Sequence, residues 1–377
     1  MKVLVLSPAP YNTSPALRFR IEQWARHLEP LGIQFTFVPF EDAALRSVIY
    51  QPGHHVKKAI LTSRAIARRF AYLPRVRDYD VVVIHREAVS IGPAILERLI
   101  ARKRVPIVFD FDDPIWLTYR SPTNGMLSYL KWPSKVAGIC GLATVVTVGN
   151  RLLAEWAGRH AHRVEVVPST VDMDLCPVKV GPIGTTPTLG WTGSHSTLSF
   201  LESFLPTLRN FAARKVFRLF VISHTDSYRP PDLPVETSAL RWNAEMEGQD
   251  LLGMDVGLAP FPNTGWTPWR CHGKVLQYMA AAIPCVASRI GILPDYIRDG
   301  ENGFLASTED EWLDRLGRLV ESPELRRRIG QAARQTIADH YSVQVWAPRF
   351  RDILLQAVSG KVNKVSHLSH AAPENVP

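Results

Sequence analysis

Several hallmarks of secreted, membrane and metal-binding proteins are missing from this chain of 377 residues. No apolar run approaches the roughly 20 residues needed to span a bilayer, and residues 1–6 form a strand-like run instead of a signal peptide. The four cysteines are scattered, without the paired spacing of a zinc site or the secretory context of a disulfide framework. We therefore expect a cytoplasmic protein with reduced thiols.

The common nucleotide-binding signatures are also absent. No Gly-x-Gly-x-x-Gly motif follows the first strand-like run, and no Walker-type Gly-Lys-Ser or Gly-Lys-Thr occurs. The sequence therefore lacks the main evidence for a dehydrogenase or a P-loop NTPase.

Negative charge is scarce in the first half of the chain. Residues 1–172 hold 23 Lys and Arg against 14 Asp and Glu, whereas residues 173–377 hold 21 of each. This asymmetry predicts an anionic partner for the first half, which could be nucleic acid, an anionic membrane surface or a phosphorylated substrate.

Short apolar runs alternate with helical or loop-rich segments along the chain. Each run has the form of a strand buried on both faces of a parallel sheet, so the alternation predicts an α/β fold with doubly wound sheets. The predicted strands are 3–6, 35–38, 80–84, 106–109, 144–148, 164–167, 188–191, 217–222, 256–259, 284–287 and 303–305. The predicted helices of the second half are 197–213, 273–282, 309–319 and 323–340.

A Pro- and Gly-rich stretch of little periodicity separates the two series of strands. It predicts a first Rossmann-like domain over residues 1–172, a linker over 173–187 and a second Rossmann-like domain over 188–342. The two domains are expected to face each other across a cleft. The polar, aperiodic residues 359–377 are expected to form a disordered tail.

Two clusters in the second half have the pattern of an anion site. The strand predicted at 188–191 runs into a glycine turn with Gly193 and Ser194 just before a helix, which suits either a diphosphate or a plain tight turn. In the second cluster, Lys274 falls in the first turn of a helix. A cation there is unfavourable against the helix dipole unless an anion is bound.

The neighbours of Lys274 extend this cluster. Arg270 adds a second positive charge, Gln277 shares the helical face of Lys274, and Tyr278 follows directly. These residues are predicted to bind the diphosphate and the ribose or base of a nucleotide. The alternative is a solvated lysine and a surface glutamine.

Acidic residues follow the strand predicted at 106–109. Asp110, Asp112 and Asp113 would lie at the carboxyl end of a parallel strand, the edge where α/β sheets place ligands. They could bind substrate hydroxyls or a divalent cation, or Asp113 could cap a helix before Pro114. We assign Asp112 to the cleft and Asp113 to the cap. His85, on the same edge, is either a second catalytic residue or a satisfied buried histidine.

Five segments, in this order along most of the chain, resemble landmarks of glycosyltransferase family 4. They are the three aspartates at 110–113, the segment at 167–172, the glycine turn at 190–194, the helix and strand at 273–288 and the segment at 299–305. The resemblance implies a GT-B fold, a nucleotide-sugar donor held by the second domain and an acceptor held by the first. It also implies retention of anomeric configuration without a bound metal, and a helix near 343–357 that crosses back onto the first domain.

The chain departs from the family pattern at the donor sugar. Members commonly carry two glutamates eight positions apart, and aligning Gln277 with the second places Trp269 at the first. Both carboxylates are missing, and Ser194 is followed by His195 and Ser196 where an Arg and a Lys are often found. Arg270 and Lys274 must therefore neutralise more of the diphosphate.

The resulting prediction is a glycosyltransferase with Asp112 and His85 as catalytic residues and no required cofactor beyond the nucleotide-sugar co-substrate. Its acceptor would be a glycan, a lipid-linked precursor or a small molecule, and no nucleic acid partner is expected. The lost glutamates and the charged first half leave open a non-catalytic nucleotide-sugar or anion-binding protein. A GT-B epimerase is a second alternative.

A basic segment over residues 56–77 contains seven Lys and Arg and no acidic residue. As a helix through Tyr72 it would present an apolar face from Val56 to Phe70, with Lys57, Arg64 and Arg68 in a stripe beside it. This pattern predicts either peripheral binding to anionic lipid at the inner membrane face or an ordinary solvated helix.

Overall fold

The computed structural model of the protein describes residues 1–118, 125, 130–181, 185–194 and 197–360. It contains two six-stranded sheets with helices packed against them. The predicted tail beyond residue 360, residues 182–184 of the predicted linker, and His195 and Ser196 lie outside the described residues. No helix in the described ranges combines the length and the apolar composition that crossing a membrane requires.

The first sheet is built from short, buried apolar strands. They are β1 (Lys2–Ser7), β2 (Gln34–Pro39), β3 (Val81–His85), β4 (Ile107–Phe111), β5 (Val145–Val148) and β6 (Val164–Val166). All pairings are parallel, in the order β2-β1-β3-β4-β5-β6. The helices of this half are α1 (Pro15–Leu17), α2 (Gln23–Leu28), α3 (Ala43–Ile49), α4 (His55–Ala71), α5 (Ile95–Ala101), α6 (Lys135–Leu142) and α7 (Arg151–Ala157).

The second sheet repeats this architecture. Its strands are β7 (Thr188–Thr192), β8 (Arg218–Ser223), β9 (Thr237–Arg241), β10 (Val256–Ala259), β11 (Cys285–Ser288) and β12 (Phe304–Ala306). They are parallel, in the order β12-β11-β10-β7-β8-β9, so the order reverses between β7 and β10. Its helices are α8 (Leu198–Ala212), α9 (Glu247–Leu251), α10 (Gly273–Ala280), α11 (Leu293–Tyr296), α12 (Glu309–Glu321) and α13 (Pro323–His340).

The chain returns to the first half at its last described helix, α14 (Val343–Ser359). Phe350 of α14 packs on Trp24 of α2, with ring centroids 4.6 Å apart. At the start of α14, Gln344 donates a hydrogen bond of 3.0 Å to the carboxylate of Asp172, where the chain first leaves this half. This hydrogen bond connects the segment where the chain leaves the first half with the helix that returns to it.

Strand β9 is the element that the sequence pattern fails to predict in the second sheet. It lies at the edge of the sheet, and its side chains alternate between partly buried and exposed positions. It therefore lacks the continuous apolar run of the central strands. Helices α5, α6, α7, α9 and α11 are only 4 to 8 residues long, too short for a helical period to stand out.

The carboxyl ends of the two sheets face each other, because described contacts between the halves join residues that follow strands in both sheets. Arg18, after β1, bonds Glu247, after β9, at 2.7 Å. Cys271, after β10, inserts against Gly149, after β5, and joins the hydrophobic core of the first half. A Cβ atom on Gly149 would overlap the Cys271 sulfur, so this close approach requires glycine.

Candidate functional site

The reversal of strand order in the second sheet creates a crevice at the carboxyl ends of β7 and β10. Lys274, in the first turn of α10, lies there. Its ammonium nitrogen is 4.1 Å from the ring centroid of Trp191 in β7 and 5.3 Å from that of Phe261, which follows β10. The sequence therefore places a cation between the two strands that flank the crevice.

The Lys274 amine has no hydrogen-bond partner in the ranges that the structure describes, although its Nζ atom is buried. Burial lowers the pKa of this amine well below its usual value, and the nearby charge of Arg270 lowers it further. Burying a neutral polar group without a hydrogen-bond partner costs about 1–3 kcal/mol of stability, and burying an unpaired charged donor costs more. A bound anion would relieve both penalties.

His272 shares the crevice with Lys274. Its ring packs on Phe261 with centroids 4.4 Å apart, and both ring nitrogens are buried and unpartnered within the described chain. The indole Nε1 of Trp191 is a third buried polar atom without a described partner. Burial lowers the pKa of His272 to about 3, and the charges of Arg270 and Lys274 contribute to the shift. The imidazole is therefore neutral at physiological pH.

Tyr278 supports this crevice from within and does not line it, which corrects its assignment to donor binding. The residue is fully buried, and its hydroxyl accepts a hydrogen bond of 2.9 Å from the Thr192 backbone and approaches the Leu258 carbonyl at 3.4 Å. Its ring packs so close to Gly257 that a Cβ atom there would overlap it. Tyr278 thus fixes the spacing of β7 and β10.

The glycine turn also differs from the expectation. The N–H of Gly193 donates to the Ile222 carbonyl at 3.0 Å, so it is committed to the neighbouring strand and cannot also be assigned to a diphosphate. Ser194 is exposed, and its hydroxyl lies 3.4 Å from that of Thr197. Gln277 is buried, one turn after Lys274 on α10.

Arg270 lies at the interface between the two halves. Its Nε donates to Asp113 of the first half at 3.2 Å, and its guanidinium stacks on Trp266 at 4.8 Å from the ring centroid. Burial opposes ionisation of Asp113, but the charges of Arg270 and Arg86 outweigh burial and lower the pKa of that carboxyl. Asp113 is therefore an interdomain ion-pair partner.

The predicted helix cap at Asp113 is wrong, because residues 114–117 form a turn and no helix begins within the described residues 114–118. Asp112 and Asp113 are instead bridged by Arg86, which directly follows β3. Arg86 donates to Oδ1 of Asp112 at 2.9 and 2.7 Å and to Oδ2 of Asp113 at 2.6 Å. The two carboxylates stand at the expected edge of the sheet, but each is paired with a cation.

Asp110 and His85 form part of a buried network, which gives His85 a structural position. Asp110 is fully buried and accepts hydrogen bonds from His85 Nδ1 at 2.8 Å, from Thr147 at 2.7 Å and from the guanidinium of Arg20. Burial opposes the charge on Asp110, but Arg20 and the hydrogen bonds outweigh it and lower the pKa of the carboxyl. All three aspartates are thus engaged by arginine, not arranged around a cation site.

Trp269 turns away from the second half and packs on the first. Its ring meets Trp116 edge-on at 5.5 Å between centroids, and Trp116 stacks on Trp156 at 3.9 Å. The Trp269 carbonyl accepts a hydrogen bond of 2.8 Å from Asn150. The position aligned with the first missing glutamate therefore contributes to the contact between the halves.

Helix α4 buries a face different from the one its pattern indicates. Leu61 and Ala65 face the core, whereas Val56 and Ile60 are 75% and 56% exposed. Buried Lys58 and Arg69 accompany the inward face because their charged groups bond backbone carbonyls, which sequence patterning cannot show.

The three basic residues assigned to the stripe have different surroundings. Lys57 and Arg64 are exposed. Arg68 is partly committed to the fold, since it pairs with Asp42 at 2.7 Å and donates to the Phe40 carbonyl at 2.8 Å. The exposed apolar face of α4 therefore stands beside two exposed cations and one paired cation.

Two important residues escaped the sequence-based assignment. Arg86 directly follows His85 at the same sheet edge, and that position is a signal that could have found it. His272 lies within the quoted cluster, but only the structure shows that its backbone has φ +47° and that its ring is buried without a partner.

The two parallel sheets, facing each other through the loops at their carboxyl ends, define a GT-B fold of two Rossmann-like halves. Solved structures agree in fold over nearly the whole chain. A sucrose-phosphate synthase from Thermosynechococcus elongatus matches 96% of this chain and 100% of its own with TM-score 0.66 and 11% identity. The Anabaena protein HepE, in complex with UDP and glucose, matches 94% and 100% with TM-score 0.62 and 15% identity.

Residues 274–336 match the family model described as glycosyl transferases group 1, which agrees with the predicted glycosyltransferase resemblance. An N-acetyl-alpha-D-glucosaminyl L-malate synthase from Bacillus anthracis is 28% identical over 94 residues, 23% of this chain. A D-inositol 3-phosphate glycosyltransferase from Saccharomonospora viridis is 31% identical over 138 residues, 34% of this chain. The matches cover 25% and 30% of the lengths of these two relatives.

Proposed function

We propose that the protein is a glycosyltransferase that transfers a sugar from a nucleoside diphosphate to a glycan, lipid-linked or small-molecule acceptor with retention. The observation that carries this proposal is the buried, unpartnered amine of Lys274 at the strand reversal of the second sheet. Such a group is costly in the free protein and is satisfied by an anionic ligand. The bound UDP of the Anabaena neighbour supports a uridine nucleotide as the first donor to test.

The proposed reaction breaks the bond between the anomeric carbon and the β-phosphate oxygen and forms a bond from that carbon to the acceptor hydroxyl oxygen. The acceptor proton passes to an oxygen of the departing diphosphate on the same face of the sugar. Because negative charge grows on the diphosphate as the bond breaks, Lys274 would stabilise the transition state more than the ground state. Asp112 is the first-half candidate for the acceptor hydroxyl, since both bonds from Arg86 go to its Oδ1 oxygen.

A direct test combines binding and turnover. UDP, GDP and ADP and their glucose or mannose conjugates are screened by thermal shift, since a ligand that binds the folded state raises the melting temperature according to its affinity. The best donor is then incubated with the protein, and release of sugar or nucleoside diphosphate is measured. Tight binding without hydrolysis or transfer on any acceptor would favour the non-catalytic alternative, and sugar inversion within the nucleotide would favour an epimerase.

Arg270 provides a prediction about how donor binding and the domain interface are linked. Asp113→Asn should tighten UDP binding by about 2- to 5-fold, because it releases Arg270 from a half-buried ion pair worth about 0.5–1 kcal/mol. Arg270→Gln should weaken UDP binding. Isothermal titration measures both effects.

The matched control for this prediction is Asp295→Asn. It removes the 3.0 Å interdomain pair with Arg151, which involves no residue assigned to the donor. UDP affinity should not change in this variant. Equal UDP affinity in wild type and Asp113→Asn would show that Asp113 does not restrain Arg270.

We further propose that the exposed face of α4 binds anionic lipid, which would place a lipid-linked or envelope glycan acceptor beside the first half. Val56 and Ile60 supply exposed apolar surface, and Lys57 and Arg64 lie next to them. Each basic residue near an anionic surface contributes about 1 kcal/mol at low salt. The charge excess of residues 1–172 favours the same partner.

The lipid proposal predicts sedimentation of the protein with phosphatidylglycerol vesicles at low salt and its release at high salt. Lys57→Glu with Arg64→Glu should abolish sedimentation. The control, Arg327→Glu with Arg328→Glu, reverses two exposed charges on α13 and should leave it intact. Equal loss in both double variants would indicate net charge alone, and no binding by the wild type would assign the basic surface to a soluble phosphorylated acceptor.

A further inference from the structure

The imidazole of His272 is an unexplained polar group two residues before the proposed phosphate cation, Lys274. It is 5% exposed, and neither ring nitrogen has a hydrogen-bond partner in the described part of the chain. Its ring centroid is 4.4 Å from that of Phe261, and the Lys274 ammonium is 5.3 Å from the same centroid. The two side chains therefore share one aromatic neighbour.

The backbone of His272 is held in the left-handed region, with φ +47° and ψ +45°, at the N-cap of α10. This conformation favours glycine, and a branched or bulky side chain adopts it at a cost. No capping hydrogen bond from the His272 side chain compensates that cost. The fold thus keeps a buried polar ring in a strained position without an internal partner, which is typical of a ligand-binding residue.

The chemistry of this ring differs from that of its neighbours. Arg270, and Lys274 once a diphosphate is bound, carry positive charge and donate only, whereas a neutral imidazole offers one donor and one acceptor. A sugar hydroxyl also donates and accepts, so it can pair with either nitrogen, whereas an ionised phosphate oxygen can only accept from the N–H. The sugar of a nucleotide donor is attached directly to the phosphate that Lys274 would bind, which brings its hydroxyls within reach of the group beside that cation.

The chain offers no carboxylate for the sugar at the position where one is expected. Trp269 occupies it and packs on Trp116 of the first half. Gln277 is the only other departure on α10, and it lies beyond Lys274 along the helix. Recognition of the sugar must therefore use another polar group, and in the described part of the chain His272 is a buried side chain here that offers both a donor and an acceptor without partners.

We propose that His272 binds a hydroxyl of the donor sugar and sets donor-sugar specificity in place of the missing glutamate. This inference rests on the proposed function, because it requires a nucleotide-sugar donor on Lys274. It assigns Lys274 to the diphosphate and His272 to the sugar, so the two residues should respond differently to ligands with and without a sugar.

The test compares UDP with UDP-glucose, and with any conjugate that the donor screen prefers, in wild type and His272→Gly. Glycine suits φ +47°, so the variant removes the ring without adding strain. We expect the dissociation constant of UDP to change less than 2-fold and that of the nucleotide sugar to rise about 5- to 20-fold, the loss of one or two hydrogen bonds. His272→Asn, which retains a donor and an acceptor and tolerates this backbone, should recover part of the loss.

Each result has one meaning. If UDP and the nucleotide sugar weaken equally, or neither changes, or no conjugate binds as well as its nucleoside diphosphate, His272 does not hold the sugar. If the wild type fails to bind any nucleoside diphosphate, the proposed function itself fails. A selective loss in His272→Gly with recovery in His272→Asn supports the assignment.

Discussion

Lys274→Met should strongly weaken the response of the protein to nucleoside diphosphates and yet raise its melting temperature in their absence. A charge-assisted hydrogen bond is worth about 1.5–3 kcal/mol, so UDP should bind about 10- to 150-fold more weakly while uridine is affected less than 2-fold. The free protein should become more stable because the substitution removes a buried amine without a described partner and keeps an apolar stem against Trp191. Thermal shift with and without UDP measures both effects.

The opposite signs of these two effects distinguish a ligand-binding lysine from a structural one. If Lys274 stabilised the fold, the melting temperature of the free variant would fall. Lys2→Met serves as the control, since it removes an exposed lysine from β1 and should change neither quantity. Equal losses of UDP and uridine affinity would mean that the substitution had disrupted the crevice as a whole. The assignment of Lys274 to the diphosphate would then be rejected.

Proton uptake gives an independent check on the same residue. Burial and Arg270 lower the pKa of the Lys274 amine in the free protein, and a bound diphosphate would raise it again. UDP binding should therefore take up protons whenever the pH exceeds the lowered pKa, and affinity should fall as pH rises through that range. Titration calorimetry in buffers of different ionisation enthalpy should detect the uptake in wild type, and Lys274→Met should lose it.

The sequence pattern predicts the fold of this protein better than its site because the two depend on different information. Central strands such as β3 and β10 are continuous apolar runs, and their burial follows directly from composition. The alternation of such runs with helices is enough to predict two doubly wound sheets. Edge strand β9 is not predicted in this way, because polar residues at exposed positions interrupt the apolar run.

Side-chain roles at the site depend on contacts between residues far apart in sequence. Asp113 appears in sequence as a helix cap before Pro114, but Arg270, more than 150 residues later, pairs with it across the domain interface. Tyr278 directly follows Gln277 in the predicted donor cluster, and only its bonds to Thr192 and Leu258 identify it as internal support. Lys274 is the exception, since an unfavourable position at a helix N-terminus is already visible in the sequence.

Asp110→Ala should be the most destabilising single substitution in the first half, lowering the free energy of unfolding by about 3–5 kcal/mol. Arg20 is fully buried, and removal of Asp110 leaves its guanidinium with the Val167 carbonyl as its remaining described acceptor. The hydrogen bonds from His85 and Thr147 are lost as well. Urea unfolding followed by tryptophan fluorescence measures the change.

The control and the pH dependence of this effect both follow from the buried charge. Asp352→Ala removes an exposed carboxylate whose ion-pair partner among the described residues is Arg351, and it should cost less than about 0.5 kcal/mol. Because the folded-state pKa of Asp110 is lowered below the unfolded value of about 3.9, its stabilisation is fully present above that pH and is lost as the pH falls toward the folded-state pKa. The difference in unfolding free energy between wild type and Asp110→Ala should therefore be constant near neutral pH and shrink below about pH 4.

Replacing both partners, with Arg20→Met and Asp110→Leu, should recover much of the lost stability, since no unpaired charge then remains buried. A double variant less stable than Asp110→Ala would show that packing, not the unpaired guanidinium, governs this network.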